Sequence, residues 1–260
     1  MLIKTKKLIT LLSIITLLTA CNSSDDSDEV QEISTTFKFT HNWDGALIRD
    51  YNFGPIQYVT EHGESISFER FRYVISDIIF TKANGEQIEL DVYNLVDLTN
   101  EVNMEYTPNI QIPIGNYTNV SFTFGLDNED NAENYTDLNS ASFNVPEMMG
   151  GGYHYMQFDG KFINSSMEEQ GFNYHAIRAV DNPGANPTFP QDTFFTVNLG
   201  AIDITNNIEI EVKMNIAEWF KSPNLWDLNI YNQMLMPNST AQIMMYENGQ
   251  NAFSLGEVFQ

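Results

Sequence analysis

The segment Asn207-Ile208-Glu209-Ile210-Glu211-Val212-Lys213-Met214-Asn215 alternates without a break. Ile208, Ile210, Val212 and Met214 point one way, while Glu209, Glu211 and Lys213 point the other. Successive side chains of a β-strand leave opposite faces of the sheet, so this segment reads as a strand half-buried against a core. The same period of two runs through 35–39, 71–81, 87–93, 119–125, 153–163, 172–179 and 194–199. Turn signals such as Asn84-Gly85, Asn182-Pro183-Gly184 and Asn248-Gly249 punctuate these runs. Asp159-Gly160 falls inside its run and marks either a bulge or an early end to that strand. Strands at this spacing predict an all-β fold, an antiparallel β-sandwich or open barrel with a few short helices. The helical stretches expected are 216–220, 228–234 and 240–246. No internal repeat is visible, and 34–260 reads as one domain.

Composition narrows the function classes. The 260 residues are 42% hydrophobic and 13% aromatic, enough to build a core and to argue against disorder along the whole chain. Lys and Arg total 12 against 35 Asp and Glu, a net charge of −23. The phosphate-neutralising surface that nucleic-acid binding requires is therefore missing, and a polyanionic membrane surface would repel the chain. One cysteine excludes an internal disulfide, a four-cysteine zinc site and a CxxC redox pair.

The N-terminus carries an address. Residues 1–7 hold Lys4, Lys6 and Lys7 with no acid, and a 13-residue, mostly apolar run follows at 8–20. This is the layout of a secretory signal, too short to span a bilayer as a permanent helix. The run ends Leu18-Thr19-Ala20-Cys21, which resembles a bacterial lipobox. Residues 1–20 are thus expected to be a lipoprotein signal peptide, with the lipid-modified Cys21 as the new N-terminus. Residues 21–33, opening Asn22-Ser23-Ser24-Asp25-Asp26-Ser27-Asp28-Glu29, read as an acidic tether. This run resembles the signal that sends Bacteroidetes lipoproteins to the outer face of the outer membrane. The expectation is a surface-exposed outer-membrane lipoprotein held by lipid at Cys21. Without residues 1–20 the chain keeps 9 bases and 35 acids, a net charge of −26.

Hydrolase signatures are absent: there is no Gly-x-Ser-x-Gly elbow, no His-Glu-x-x-His pair and no glycine-rich phosphate loop. The acidic loop Asp127-Asn128-Glu129-Asp130-Asn131 fails the EF-hand template, with Ala132 where glycine is needed and Leu138 where a bidentate Glu should close the site. Only a looser calcium site remains there as a secondary expectation. The four histidines are His41, His62, His154 and His175. His154 follows three glycines, Gly150-Gly151-Gly152, that let the backbone approach something closely. Imidazoles gathered by a β-scaffold suit copper or zinc. Periodicity alone does not bring them together in space, and a hydrogen-bonded structural role is the plainer reading of any one of them.

A family resemblance goes further. His41-Asn42-Trp43-Asp44-Gly45, Tyr58 with Gly63-Glu64, and Phe68 leading to Phe71-Arg72-Tyr73-Val74-Ile75-Ser76-Asp77-Ile78 resemble the MbnP-like copper-binding domain family. So do Gly115-Asn116-Tyr117, Val120-Ser121-Phe122-Thr123-Phe124-Gly125-Leu126-Asp127, Gly152-Tyr153-His154-Tyr155-Met156 and the C-terminal 248–254. The resemblance implies an extracytoplasmic β-sandwich that binds copper through histidines. It also implies that a tryptophan oxidised to kynurenine joins the ligands, and that a dihaem peroxidase-like partner performs the oxidation. Carried onto this chain, it makes His41, His175 and His154 the metal ligands. The family's Trp-bearing segment before Gly-Tyr is replaced here by Pro146-Glu147-Met148-Met149-Gly150-Gly151, which leaves Trp43 as the candidate modified ligand. The expected function is copper sequestration or delivery without turnover. The alternative is an adhesion or glycan- and protein-binding surface, with Tyr153, Tyr155 and Trp226 exposed for stacking. Convergence of His41, His154 and His175 in one small sphere discriminates the two.

Overall fold

The computed structural model describes residues 31–260. The expected signal peptide, Cys21 and the tether up to residue 30 lie outside the described residues. The first strands are β1 (Glu32–Ile33), β2 (Thr35–Trp43), β3 (Ala46–Ile48), β4 (Tyr58–Val59) and β5 (Ser65–Ile66). The middle of the chain forms β6 (Arg70–Lys82), β7 (Gln87–Asp97), β8 (Glu105–Tyr106), β9 (Ile112–Pro113) and β10 (Gly115–Phe124). Then come helix α1 (Thr136–Ser140), β11 (Met156–Ile163), β12 (Glu169–Ala176), β13 (Phe195–Ile204) and β14 (Ile208–Asn215). Helix α2 (Ser239–Gly249) and β15 (Phe253–Phe259) close the chain.

Two sheets face each other. The larger runs β13-β10-β6-β11-β5-β4, with β7 also on β6 and β12 also on β11; the smaller runs β15-β14-β2-β3, with β8 on β2. The expected all-β sandwich is thus present, with short helical segments at its margins. Pairing is antiparallel except for β2 and β14, which run parallel from Thr35↔Ile208 to Asn42↔Asn215. Alternation dictates which residues meet between the layers: β14 and β2 bury every second side chain along their whole length. Aromatic rings cross the gap, with Phe37 against Phe80 at 6.3 Å, Phe39 edge-on to Tyr73 at 6.3 Å and Phe253 edge-on to Phe122 at 5.5 Å. Each fully buried phenylalanine contributes about 1.5–3 kcal/mol relative to exposure, so this aromatic layer, with the aliphatic residues around it, holds the sheets together.

Local departures from the expected elements have physical causes. Glu32 and Ile33, expected in the tether, pair with Pro113 and Ile112, and Ile33 is buried. The run at 228–234 is a series of turns: Asp227 Oδ1 accepts from the Asn229 backbone N–H, and Met234 takes a left-handed conformation. The Asp159-Gly160 pair neither bulges nor ends β11, since its register with Asn173 and Phe172 is unbroken. A Cβ at Gly160 would stand 2.0 Å from the Ser67 carbonyl oxygen, so glycine is required there for close approach of two backbones. Strand β15 carries too weak an alternation to be anticipated.

Candidate metal centre

Strand parity sorts the histidines. On β6, Phe71 and Tyr73 are buried against the smaller sheet, while Arg70 and Arg72 reach the outer face, to Asp159 and to Gln157 respectively. His41 on β2 shares parity with Phe37, Phe39 and Trp43, and its ring packs against Phe71 and Tyr73 inside the sandwich. On β12 the inward residues are Phe172, Tyr174 and Ala176, so His175 stands on the outer face beside Gln157 and Asp159. The segment following α1 covers that face. Arg72 donates to the Ala141 carbonyl and Gln157 to the Ser142 carbonyl, and the chain returns through Gly150-Gly151-Gly152 to bring in His154. Gly152 has φ +75°, and a Cβ on it would strike the Asn131 side chain at 2.7 Å. The close approach expected of the glycines is therefore to the protein's own side chains, Asn131 at Gly152 and the Phe189 ring at Gly150.

The result is a histidine pair. The His154 and His175 rings lie 5.2 Å apart at 84°. His154 is buried, and its Nδ1 lies 2.7 Å from the Phe143 carbonyl oxygen. A carbonyl only accepts, so Nδ1 carries the proton and Nε2 keeps its lone pair. That Nε2 is buried with no hydrogen-bond partner. His175 Nε2 donates to Asp159 Oδ1 at 2.7 Å, so that in the neutral imidazole Nδ1 is the nitrogen with a free lone pair. Asp159 is itself held by Asn173 and Arg70. Burial alone would raise the Asp159 carboxyl, but hydrogen bonding and charge from His175, with Asn173 and Arg70, bring it down to about 2. Burial lowers His154 to about 4, aided by the nearby charges of His175, Arg70 and Arg72 and opposed by its bond to Phe143.

Other expected site residues fall elsewhere. His41, inside the sandwich, is on the opposite face of the large sheet from the pair, so the three histidines do not converge. Its Nε2 lies 3.1 Å from the Tyr73 hydroxyl, its Nδ1 is buried without a partner, and burial, with Arg49, lowers its pKa to about 3. Trp43 is a core residue packed among Tyr58, Phe68 and Phe220. Tyr153, Tyr155 and Trp226 are buried, not exposed, which removes the stacking surface on which the glycan-binding alternative rested. The acidic loop brings Asp130 to Asp77 and Asp91, with carboxylate oxygens within 4.8 Å of one another. Asp127 caps its own turn, accepting from the backbone N–H groups of Glu129 and Asp130. Phe143 and Gln157, which surround the pair, carry no signal in the sequence beyond lying on or near the right strands, and Asp159 is marked there only through the Asp159-Gly160 pair, not as a support for a histidine.

Comparison with known proteins gives a family. The MbnP family model matches residues 32–245, nearly the whole described body. The chain belongs to the MbnP family. The solved structure of MbnP from Methylosinus trichosporium aligns with it at 13% identity, covering 75% of this chain and 80% of that one, with a TM-score of 0.45. No curated protein matches the chain. The MbnP family is associated with copper binding.

Proposed function

We propose that this MbnP-family protein binds copper through His154 and His175, and sequesters or delivers the ion outside the cytoplasm without turning it over. The observation that carries this reading is the buried, unpartnered Nε2 of His154 beside a second imidazole whose own bare nitrogen is set by Asp159. A buried polar atom without a partner costs free energy unless something occupies its lone pair. Copper favours imidazole nitrogen, and its ligands must be unprotonated. With burial holding His154 near 4, that imidazole is neutral at physiological pH. Carboxylate support of a ligating histidine is the common way to fix its tautomer and orientation, and Asp159 supplies it. Trp43 takes no part in this ligand set, which rests on imidazoles alone.

The same reading includes a lipid anchor at Cys21, residence on the outer membrane facing outward, and a dihaem peroxidase-like partner. The strongly acidic chain would concentrate cations near its surface, an effect that salt weakens. The test is metal content by mass spectrometry after copper loading and desalting. His154→Ala and His175→Ala should each lose about one retained copper per chain, which His41→Ala should keep. Retention in both of the first two variants would overturn the assignment.

A further inference from the structure

A second group of donors lies at the edge of the large sheet, in the turn between β4 and β5. There the Thr60 backbone N–H donates to the Glu64 carbonyl and the Glu64 N–H donates to the Thr60 hydroxyl oxygen, closing a turn that presents His62 outward. His62 Nδ1 is 2.6 Å from Glu64 Oε1, while its Nε2 faces Asp227 Oδ2 at 3.7 Å. Glu64 is buried, its other oxygen accepts from the Thr60 hydroxyl at 2.6 Å, and Asn229 donates to Oε1 at 3.0 Å. The far oxygen of Asp227 is likewise engaged, accepting from the backbone and side chain of Asn229. Each support is thus tied down, and what is left free are one imidazole nitrogen and one carboxylate oxygen pointing at each other.

The gap between these two is informative. At 3.7 Å it is too long for a hydrogen bond. It fits two donors on one small cation, since bonds of about 2.0–2.2 Å from each place the donors between about 3 and 4 Å apart. Glu64 behind Nδ1 repeats the carboxylate–histidine support seen at metal ligands. His62, Glu64 and Asn229 also line an open cavity of about 330 Å³ with Ser65, Asn164 and Ser165, so solvent reaches the His62 side of the gap.

We infer that His62 Nε2 and Asp227 Oδ2, with Glu64 as the buried support, form a second metal site for a borderline divalent cation of the zinc class. One imidazole with one carboxylate and open positions suits zinc better than calcium, which takes oxygen alone. The ion would clip the β4–β5 turn to the segment at 227–229, two stretches far apart in sequence. The site owes nothing to the histidine pair at β11 and β12, which lies among different residues.

The experiment is a zinc titration of the full chain carrying His154→Ala and His175→Ala, followed by calorimetry and by the His62 imidazole resonances. One zinc should bind and shift those resonances, and His62→Ala or Asp227→Asn added to this background should weaken binding by about tenfold or more. Glu64→Gln, with circular dichroism unchanged, should weaken it by about tenfold. Zinc binding that is unaffected by His62→Ala overturns the site. So do His62 resonances that respond to pH but not to zinc, which would mean that a shared proton alone occupies the gap.

Discussion

The imidazoles of His154 and His175 meet edge to face, 5.2 Å between centroids, with opposite nitrogens tied down: Nδ1 of the first on the Phe143 carbonyl, Nε2 of the second on Asp159. Asp159 therefore decides which nitrogen of His175 remains available. Asp159→Asn should lower copper affinity by about 10- to 100-fold, the usual effect of losing a ligand's supporting carboxylate. A competition titration against a chelator of known affinity measures this, with circular dichroism as the check on folding. An unchanged affinity would mean that His175 is not oriented by Asp159.

Stability should fall with acid in a defined window. Burial holds His41 near 3 and His154 near 4, against an ordinary value of about 6.5 in the unfolded chain. Between those values the unfolded chain binds more protons. Their contribution is therefore complete above about pH 6.5 and lost as pH falls toward the folded values, by up to about 1.4 kcal/mol per pH unit for each histidine. Asp77, which burial raises to about 6, works the other way, its contribution present at low pH and lost as pH rises through that value. Urea midpoints at about pH 7 and about pH 5 should differ less in His154→Gln than in the parent protein. Equal differences would show that His154 is not held neutral.

Gly160→Ala should destabilise the fold by about 3 kcal/mol, because the new Cβ would collide with the Ser67 carbonyl oxygen and the Phe172 ring. Neither neighbour yields easily, one being backbone and the other a fully packed core ring. Equilibrium urea unfolding measures the loss, and a cost below about 1 kcal/mol would mean that β5 can move away from β11 freely.

Tyr73→Phe removes the hydroxyl next to His41 Nε2, leaving both nitrogens of a buried imidazole without partners. The expected cost is about 1–3 kcal/mol, with copper retention unchanged because the residue faces the interior. Loss of copper in this variant would tie His41 to the metal after all.

Much of this architecture is legible from parity. The alternation of Ile208, Ile210, Val212 and Met214 identifies the buried face of β14, and that of Phe37 and Phe39 the buried face of β2. Parity also holds the clue that His41 and His175 cannot meet, since His41 falls in phase with its strand's apolar residues and His175 out of phase with Phe172 and Tyr174. Neighbouring strands had to be assigned before that phase had spatial meaning. Tyr153 and Tyr155 misled because they precede β11 in a covered loop, where alternation no longer separates inside from outside. The turns at 228–234 are hidden in the sequence because hydrogen bonds that the Asp227 carboxylate accepts from Asn229 override a helical spacing of apolar residues. The nitrogen left bare on His154 depends on a carbonyl eleven residues earlier, and no pattern of residue types records that bond.

The parallel pairing of β2 with β14 also fixes an order of events. A chain made from its N-terminus first presents Phe37, Phe39 and Trp43 long before Ile208–Asn215 exists to lie beside them. Until then β2 is paired on one side only, with β3 and β8, and its other side is an open apolar edge, the kind that seeks any other strand available. The larger sheet can assemble largely from nearer neighbours, with β6 and β7 joined by a short turn, but the smaller sheet is completed only when the last fifth of the chain arrives. Removing that last fifth would not leave a smaller sandwich. It would leave the larger sheet with much of its inner face open to water.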